Sequence, residues 1–535
     1  MVKRISKLFH SENSIRGASL VLIITLTLSN ILGLLRDHFL AAYIPTSQLD
    51  IYFAAFRIPD LIFNFFILGA ITSVFIPIFC DYIAGDNLKE GWRVTNILLN
   101  IAILVMIGFA ILMFFLMPWA MHLVVPNFSP ERIEKTVTLS RLLMLPPIFF
   151  AASYIISGVL NSFKRFVAYS LAPLIYNLSI IVGTLLFGSK IGILGVVYFV
   201  IAGAALHLLV QLPSAIKLGY KYQPFFDWRH PAVKRVFRLM IPRTIGMGVN
   251  QIMLLVYTAI ASALATGSIA AFNFANNIQT MPTVVFGTSF ATAVFPTLTT
   301  AIAEKNYKKY QFYFTRSVRT IAYLLIPFSV IFILLRAQII RLILGAGQFE
   351  WSDTKATALT LGYFSLSLIA QGLIPLLTRA FFAHKDTKTP MYISIFTAIV
   401  SVILGYTLSN KMGVAGLALA FTIGSYFNAL ILYIAMKKLQ GFSFDTTIFI
   451  SVLKIIISSV VMGLVIWFSN HQLVKVVDMQ TFFGVLEQTL ISSILGAAVY
   501  LGLTSLFKSE EIKWAIFRKI NGGAVAEAEE EIISK

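Results

Sequence analysis

AAFRIPDLIFNFF, residues 54–66, lies in an apolar run long enough to cross a membrane, yet it carries Arg57, Pro59, Asp60 and Asn64. On a helix Arg57, Asp60 and Asn64 fall at i, i+3 and i+7 and share one face. A charge at the bilayer centre costs at least about 2.5–3.5 kcal/mol on insertion scales, so such a face is expected to look onto a cavity or a partner. The simpler alternative is a local i, i+3 salt bridge between Arg57 and Asp60 near an interface.

The surrounding chain decides that the run is a span. Of 535 residues, 58% are apolar and only 12% charged, with a mean hydropathy of +0.84. Water-soluble domains carry about 25% charge, so this is the composition of a polytopic membrane protein. Apolar stretches of roughly 20 residues, the length a helix needs to span the hydrocarbon, recur from end to end. The short alternating segments of a membrane barrel are absent. Fourteen spans are predicted, centred near residues 27, 65, 107, 147, 177, 203, 250, 286, 325, 367, 398, 425, 458 and 495. Residues 1–16 read as a basic amphipathic lead or a solvated tail; no small-residue cleavage site follows the first apolar run.

With the N-terminus inside, the cytoplasmic segments hold 29 Lys and Arg and the outer connections 10, while Arg57, Arg243 and Lys454 fall within spans. This asymmetry predicts that both termini are cytoplasmic. The same bias, with anionic lipid, accounts for the net charge of +19 and makes a nucleic-acid partner unnecessary. Cys80 is the single cysteine, which excludes an intramolecular disulfide and a thiolate metal cluster.

The opening stretch has a counterpart. AAF at 54–56 is followed by TSVFIP at 72–77, and AAF at 270–272 by TAVFP at 292–296. Gly192, Gly195 and Gly203 match Gly413, Gly416 and Gly424 at identical internal spacing, and the links SFKRFVAYSLAP (162–173) and FFAHKDTKTP (381–390) hold equivalent places. The offsets, 216 and 221 residues, cover six spans. Six is even, so both copies share one orientation, the arrangement of transporters whose site lies between parallel repeats. Chance similarity of Gly and Phe patterns in apolar helices is the alternative. The expected architecture is all-α: residues 17–220 and 236–440 form two six-helix lobes, joined by a cytoplasmic linker, 221–235. Two further helices within 441–508 and a cytoplasmic tail, 509–535, follow.

Other polar residues cluster in the first pair of spans of each half: Asn30, Arg36, Asp37 and Asp50 in the first, and Arg243, Asn273, Asn276, Asn277 and Gln279 in the second. Pro59, Pro242 and Pro282 free backbone carbonyls beside them, which water or other helices must satisfy. Together they predict a wet, positively biased cleft. The alternatives are an outer loop pair for Arg36 and Asp37, and interhelical hydrogen bonding for the asparagines. Guanidinium groups suit a phosphate or pyrophosphate. No HExxH, GxSxG or Walker loop points to an enzyme.

These residues resemble the MurJ (MviN-type) lipid II flippases of bacteria, members of the MATE-like (MOP) transporter superfamily. The similarity runs from about residue 17 to about 440 and rests on motifs in the same order and spacing: SNILGLLRD (29–37), DIYFAAFRIPDLI (50–62), GAITSVFIP (69–77), GVLNSFKRF (158–166), GSIAAFNFANNIQTMP (267–282), FGTSFATAVFPTL (286–298), GQF (347–349) and TRAFFAHKDTKTP (378–390). The resemblance implies a MATE-like fold with a central cavity, two C-terminal helices flanking a groove, and transfer of the lipid-linked disaccharide-pentapeptide from the inner to the outer leaflet of the bacterial cytoplasmic membrane. Arg36, Asp37 and Asp50 match family positions of the cavity. Asn276 and Asn277 stand where many members have an Asp-Arg pair, Asn30 replaces an arginine, and Phe63 and Asn64 replace an arginine pair.

On this reading opposed rocking of the lobes carries the substrate without covalent chemistry. Arg36, Arg57 and Arg243 attract the pyrophosphate, Asp37 and Asp50 orient arginines or gate the outer side, and Asn64, Asn276 and Asn277 hydrogen-bond sugar or peptide. No cofactor or metal is expected; membrane potential or an ion gradient, the ion unspecified, supplies the energy. Lipid II and membrane lipids are the expected partners, with wall-synthesis proteins as further candidates. Competing readings are a flippase for another polyprenyl-linked glycan, a MATE-type exporter, an enzyme of polyprenyl-phosphate chemistry, and a non-transporting scaffold of wall synthesis.

Overall fold

A computed structural model describes residues 15–68, 75–440 and 446–512, excepting the side chains of residues 15–23, 26, 67, 68, 237, 239–247, 439, 440 and 446. Among the described residues the regular structure is helical, without strands. Ten helical segments are long and apolar enough to cross a membrane, and a bent pair, Trp351–Leu366 with Leu368–Ala383, makes an eleventh. These eleven coincide with the expected positions from 107 to 203 and from 286 to 495. The count of fourteen is not established: the positions near 27, 65 and 250 fall in helices that are broken or only partly described. Residues 1–14 of the basic lead, the motif residues 69–74 and the tail from 513 lie outside the described residues. Large apolar side chains face outward, Phe115 being 73% exposed, Phe449 70% and Phe483 72%. Water would penalise such a surface and lipid does not.

Two compact units make up the chain: Met1–Ala270 with Ile343–Glu350, and Ala271–Leu342 with Trp351–Lys535. In the first, the Ile15–Tyr43 helix ends at Pro45, Thr46–Ala55 follows, and a break at Phe56 separates it from Arg57–Phe63. Pro59 lacks the N–H that a continuous helix would need at this point. A π-helical turn, Asn64–Leu68, comes next. The Leu88–Val124 helix is capped by Asn87, whose side chain accepts from the Glu90 N–H. The Pro130–Leu143 and Pro146–Ser162 helices meet at Pro146 and Pro147, and Ala172–Ile191 pairs with Ile193–Leu209.

The second unit repeats these devices. A π-helical turn, Thr283–Thr288, follows Pro282; the Asn306 side chain caps the Tyr307–Leu334 helix through the Lys309 N–H; Lys388–Met412 pairs with Val414–Gln440. Positive φ angles recur at matching places: Asp86 (53°) and Lys305 (56°), Lys164 (59°) and Lys385 (61°), Gly192 (63°) and Gly413 (61°). Gly192 and Gly413 also share ψ, −147° and −145°, a region open essentially to glycine alone. Each lets one helix stop and the next start at once.

The two added helices, Thr446–Leu473 and Phe482–Leu506, belong to the second unit. They pack on Tyr307–Leu334 through Tyr323, Ile455, Met462, Ile466 and Tyr500. The Tyr500 hydroxyl donates to the Tyr323 carbonyl at 2.7 Å, and Arg319 pairs with Glu510 at 3.1 Å and the buried Glu511 at 2.6 Å.

Candidate functional site

The charged residues flagged in the first half form a polar layer within the first unit. Arg36 directs Nε and Nη2 at one carboxylate oxygen of Asp37, at 3.1 and 2.8 Å, and Nη1 at the Asn177 side-chain oxygen at 3.2 Å. Asp37 is 2% exposed, so the guanidinium supplies charge neutralisation that water does not. The pair is therefore a buried element and not an outer loop pair. Arg57 donates through Nε to the Thr258 hydroxyl at 2.7 Å. Asp60 lies within electrostatic reach of both Arg57 and Arg36. The layer thus holds cations already matched by carboxylates, a more balanced field than the arginines alone suggest. Asn64 turns its amide back onto the Asp60 carbonyl at 2.7 Å, satisfying an acceptor where the helix loosens into its π-helical turn.

Asp60 also opens onto a cavity of about 240 Å³ between the first unit's helices, lined with Phe63, Tyr154, Tyr176 and His207. The His207 ring stacks on Tyr154, with centroids 5.9 Å apart, and its Nδ1 meets the Ser153 hydroxyl at 2.7 Å. Gln211 donates to Ser153 at 2.7 Å and accepts from Ser157 at 2.7 Å. A histidine in an apolar helix is here one member of a satisfied network.

Asp50 sits apart from this layer. Its two carboxylate oxygens accept the N–H groups of Gly267, at 2.7 Å, and Ala270, at 2.9 Å, and Arg132 closes the site at 3.2 Å. Asp50 caps, from a distant part of the chain, the start of the Ser268–Pro282 helix, where unpaired N–H groups and the helix dipole favour an anion. Arg132 in turn lies 3.8 Å over the Phe128 ring.

In the second unit Asn273, Asn276 and Asn277 share a half-buried face of that helix. The Asn276 side-chain oxygen accepts from Gln279 at 3.1 Å, and the Thr280 hydroxyl donates to the Asn276 carbonyl at 2.7 Å. Arg243 falls in the Pro231–Ala261 helix, but its side chain lies outside the described residues. Asp386, on the link before Lys388–Met412, accepts the N–H groups of Lys388 at 3.1 Å and Thr389 at 3.0 Å. Partial burial pushes its carboxyl up, but those N–H groups, the Thr389 hydroxyl and Lys388 hold it below the ordinary carboxylate range. Sequence reasoning missed Asn177, Thr258 and Arg132. Asn177 and Thr258 are uncharged polar residues among others in their helices, which gave spacing nothing to single them out by, and Arg132 is one of several charges on a connecting segment. No group of three or more His, Cys, Asp or Glu among the described residues could hold a metal ion.

Among the described residues, membrane-length helices with buried charges in one unit build a fold that MATE transporters share. An inward-facing multidrug resistance MATE family transporter of the MOP superfamily superposes with a TM-score of 0.67 over 79% of this chain and 99% of that one, at 15% identity. That level of identity speaks to fold alone. The chain belongs to the lipid II flippase MurJ family, whose sequence model matches residues 40–486. The lipid II flippase MurJ of Burkholderia cenocepacia is 27% identical over 429 residues, covering 77% of this chain and 81% of that protein. A lipid II flippase MurJ structure in an inward closed conformation superposes with a TM-score of 0.78 at 26% identity, over 92% of this chain and 100% of the other.

Proposed function

We propose that this protein flips lipid II, the polyprenyl-pyrophosphate disaccharide-pentapeptide, from the inner to the outer leaflet of the bacterial cytoplasmic membrane by alternating access. The observation that carries the reading is the family match through residues 40–486, which takes in both halves and reaches the last two helices. Between those helices runs an apolar groove of about 490 Å³, lined by Leu464, Phe468, Leu473, Ile491 and Leu495. Its lining suits a polyprenyl chain that stays with the lipid while the headgroup crosses.

Arg36 and Arg57 attract the pyrophosphate. Because Arg36 rests on Asp37, an incoming pyrophosphate competes with a carboxylate for the same guanidinium, and release returns the arginine to Asp37. Arg243 adds positive charge, Asn64, Asn276 and Asn277 hydrogen-bond sugar or peptide, and Asp50 closes the outer side through its hold on Gly267 and Ala270. Both termini face the cytoplasm, wall-synthesis proteins are candidate partners, and membrane potential or an ion gradient drives the cycle without enzyme chemistry. The test is rescue of cells depleted of their own lipid II flippase, read as accessibility of lipid II at the outer leaflet. Rescue by this chain and its loss in Arg36→Ala are the expected results. Failure to restore accessibility, with Arg36→Ala behaving as the parent, overturns the reading. Conversion of lipid II to a new product would mark an enzyme instead.

A further inference from the structure

The segment joining the Leu212–Lys217 and Pro231–Ala261 helices has no regular structure, yet it is pinned along its length. The Asn96 side chain donates to the Lys221 carbonyl at 3.0 Å and accepts from the Tyr220 hydroxyl at 3.0 Å and the Gln223 N–H at 3.2 Å. Asn100 donates to the carbonyls of Gln223, at 3.1 Å, and Phe225, at 2.9 Å. His230 meets Glu90 at 3.0 Å. Two asparagines one helical turn apart thus hold a strap of extended chain against the Leu88–Val124 helix.

That helix also sets the strap's depth. From Ile101 to Met121 it carries no charged or amide side chain, and 21 residues at 1.5 Å each span about 30 Å, the thickness of the hydrocarbon. Asn100 therefore marks the edge of the hydrocarbon, and the strap lies at headgroup level. There it turns outward Tyr222, Phe225, Phe226 and Trp228, which are 62, 38, 50 and 45% exposed. Residues 217–238 hold six Lys and Arg against a single acid, Asp227. Exposed aromatic rings among cations suit the boundary between lipid tails and anionic headgroups, and the backbone tolerates that boundary because asparagine amides satisfy its carbonyls.

We propose that this strap is a built interfacial site for anionic lipid headgroups: the four rings enter the headgroup layer while Lys221 and Arg229 meet the lipid phosphates. The site rests on the orientation proposed above, with the strap on the cytoplasmic side. Cys80 is the single cysteine, so Cys80→Ser with Phe226→Cys gives one labelling position in the full chain. A fluorophore there is followed in phosphatidylcholine vesicles with and without phosphatidylglycerol, against a lipid-borne nitroxide and aqueous iodide. The expected result is quenching by the nitroxide and shielding from iodide that deepens with phosphatidylglycerol. Lys221→Gln with Arg229→Gln should raise the phosphatidylglycerol needed for half-maximal shielding about ten-fold, and Asn100→Ala should lose the shielding while the protein remains monodisperse. Iodide access in both lipids overturns the proposal, and shielding that appears only on adding soluble cell extract assigns the surface to a protein instead. Orientation is read separately, with an impermeant thiol reagent on intact cells carrying Cys80→Ser with Lys135→Cys on the expected outer face.

Discussion

The pair Ala172–Ile191 with Ile193–Leu209 and the pair Lys388–Met412 with Val414–Gln440 are built alike, down to the backbone angles of Gly192 and Gly413. In each, a serine hydroxyl crosses to the partner helix, Ser179 to the Phe199 carbonyl at 2.8 Å and Ser401 to the Ala420 carbonyl at 3.1 Å. The polar layers differ. In the first unit Arg36, Asp37, Arg57 and Asp60 carry full charges, whereas the flagged residues of the helix from Ser268 in the second are neutral amides. The two units share caps, breaks and close contacts, which any copy needs to fold, and differ in the polar side chains their helices carry.

The largest expected contrast comes from Arg36→Ala against Asn276→Ala. The first strips a buried carboxylate of its guanidinium and should cost about 3–5 kcal/mol, together with flippase rescue. The second removes an acceptor from Gln279 and should cost about 1 kcal/mol. Thermal unfolding in nanodiscs measures both, and equal losses would deny that the charged layer differs from the neutral one.

Next come the two π-helical turns, each packed on a glycine. A methyl group added at Gly287 would lie 2.5 Å from the Gly372 Cα, backbone against backbone, whereas one at Gly248 would meet only the Phe65 ring, which can turn aside. Gly287→Ala should therefore cost about 3 kcal/mol and Gly248→Ala about 1 kcal/mol, ordering their melting temperatures. Smaller again, Gly192→Ala and Gly413→Ala should each lose about 1–2 kcal/mol from backbone strain. Gly413 has open space around its absent side chain, while a methyl group added at Gly192 would lie 2.8 Å from the Gln48 amide oxygen, so Gly192→Ala should be the worse of the two by melting temperature.

The smallest effect belongs to the links. Asp386 has a depressed carboxyl, and the matching link around Lys164 has no acid. Its stabilisation is fully present above the unfolded carboxylate value, about 4, and is lost as pH falls through the lower folded value. Asp386→Ala should lower the melting temperature slightly at pH 7 and not at pH 2, where parent and variant should coincide.

Much of this was legible in the chain. Eleven spans follow from apolar runs of membrane length, and the paired glycines announced the repeat because a helix that restarts at once needs a residue free of Cβ. Arg36, Asp37, Arg57 and Asp60 stood out because charge in hydrocarbon is costly. The spans near 27, 65 and 250 were harder to read, since polar residues and prolines dilute hydropathy where a chain bends. Asn64 makes a bond that spacing does not reveal, its amide donating to the Asp60 carbonyl one turn back.

Sequence alone therefore determined the solvent, the helical class, the repeat and the positions of unusual charge, because each follows from local composition and periodicity. Tertiary structure decided which partner each charge meets: Asn177 for Arg36, Thr258 for Arg57, and Arg132 with two backbone N–H groups for Asp50. Those partners lie some 80 to 220 residues away along the chain. Only the packing of helices in three dimensions brings such groups within hydrogen-bond distance, and no periodicity of a single helix encodes it.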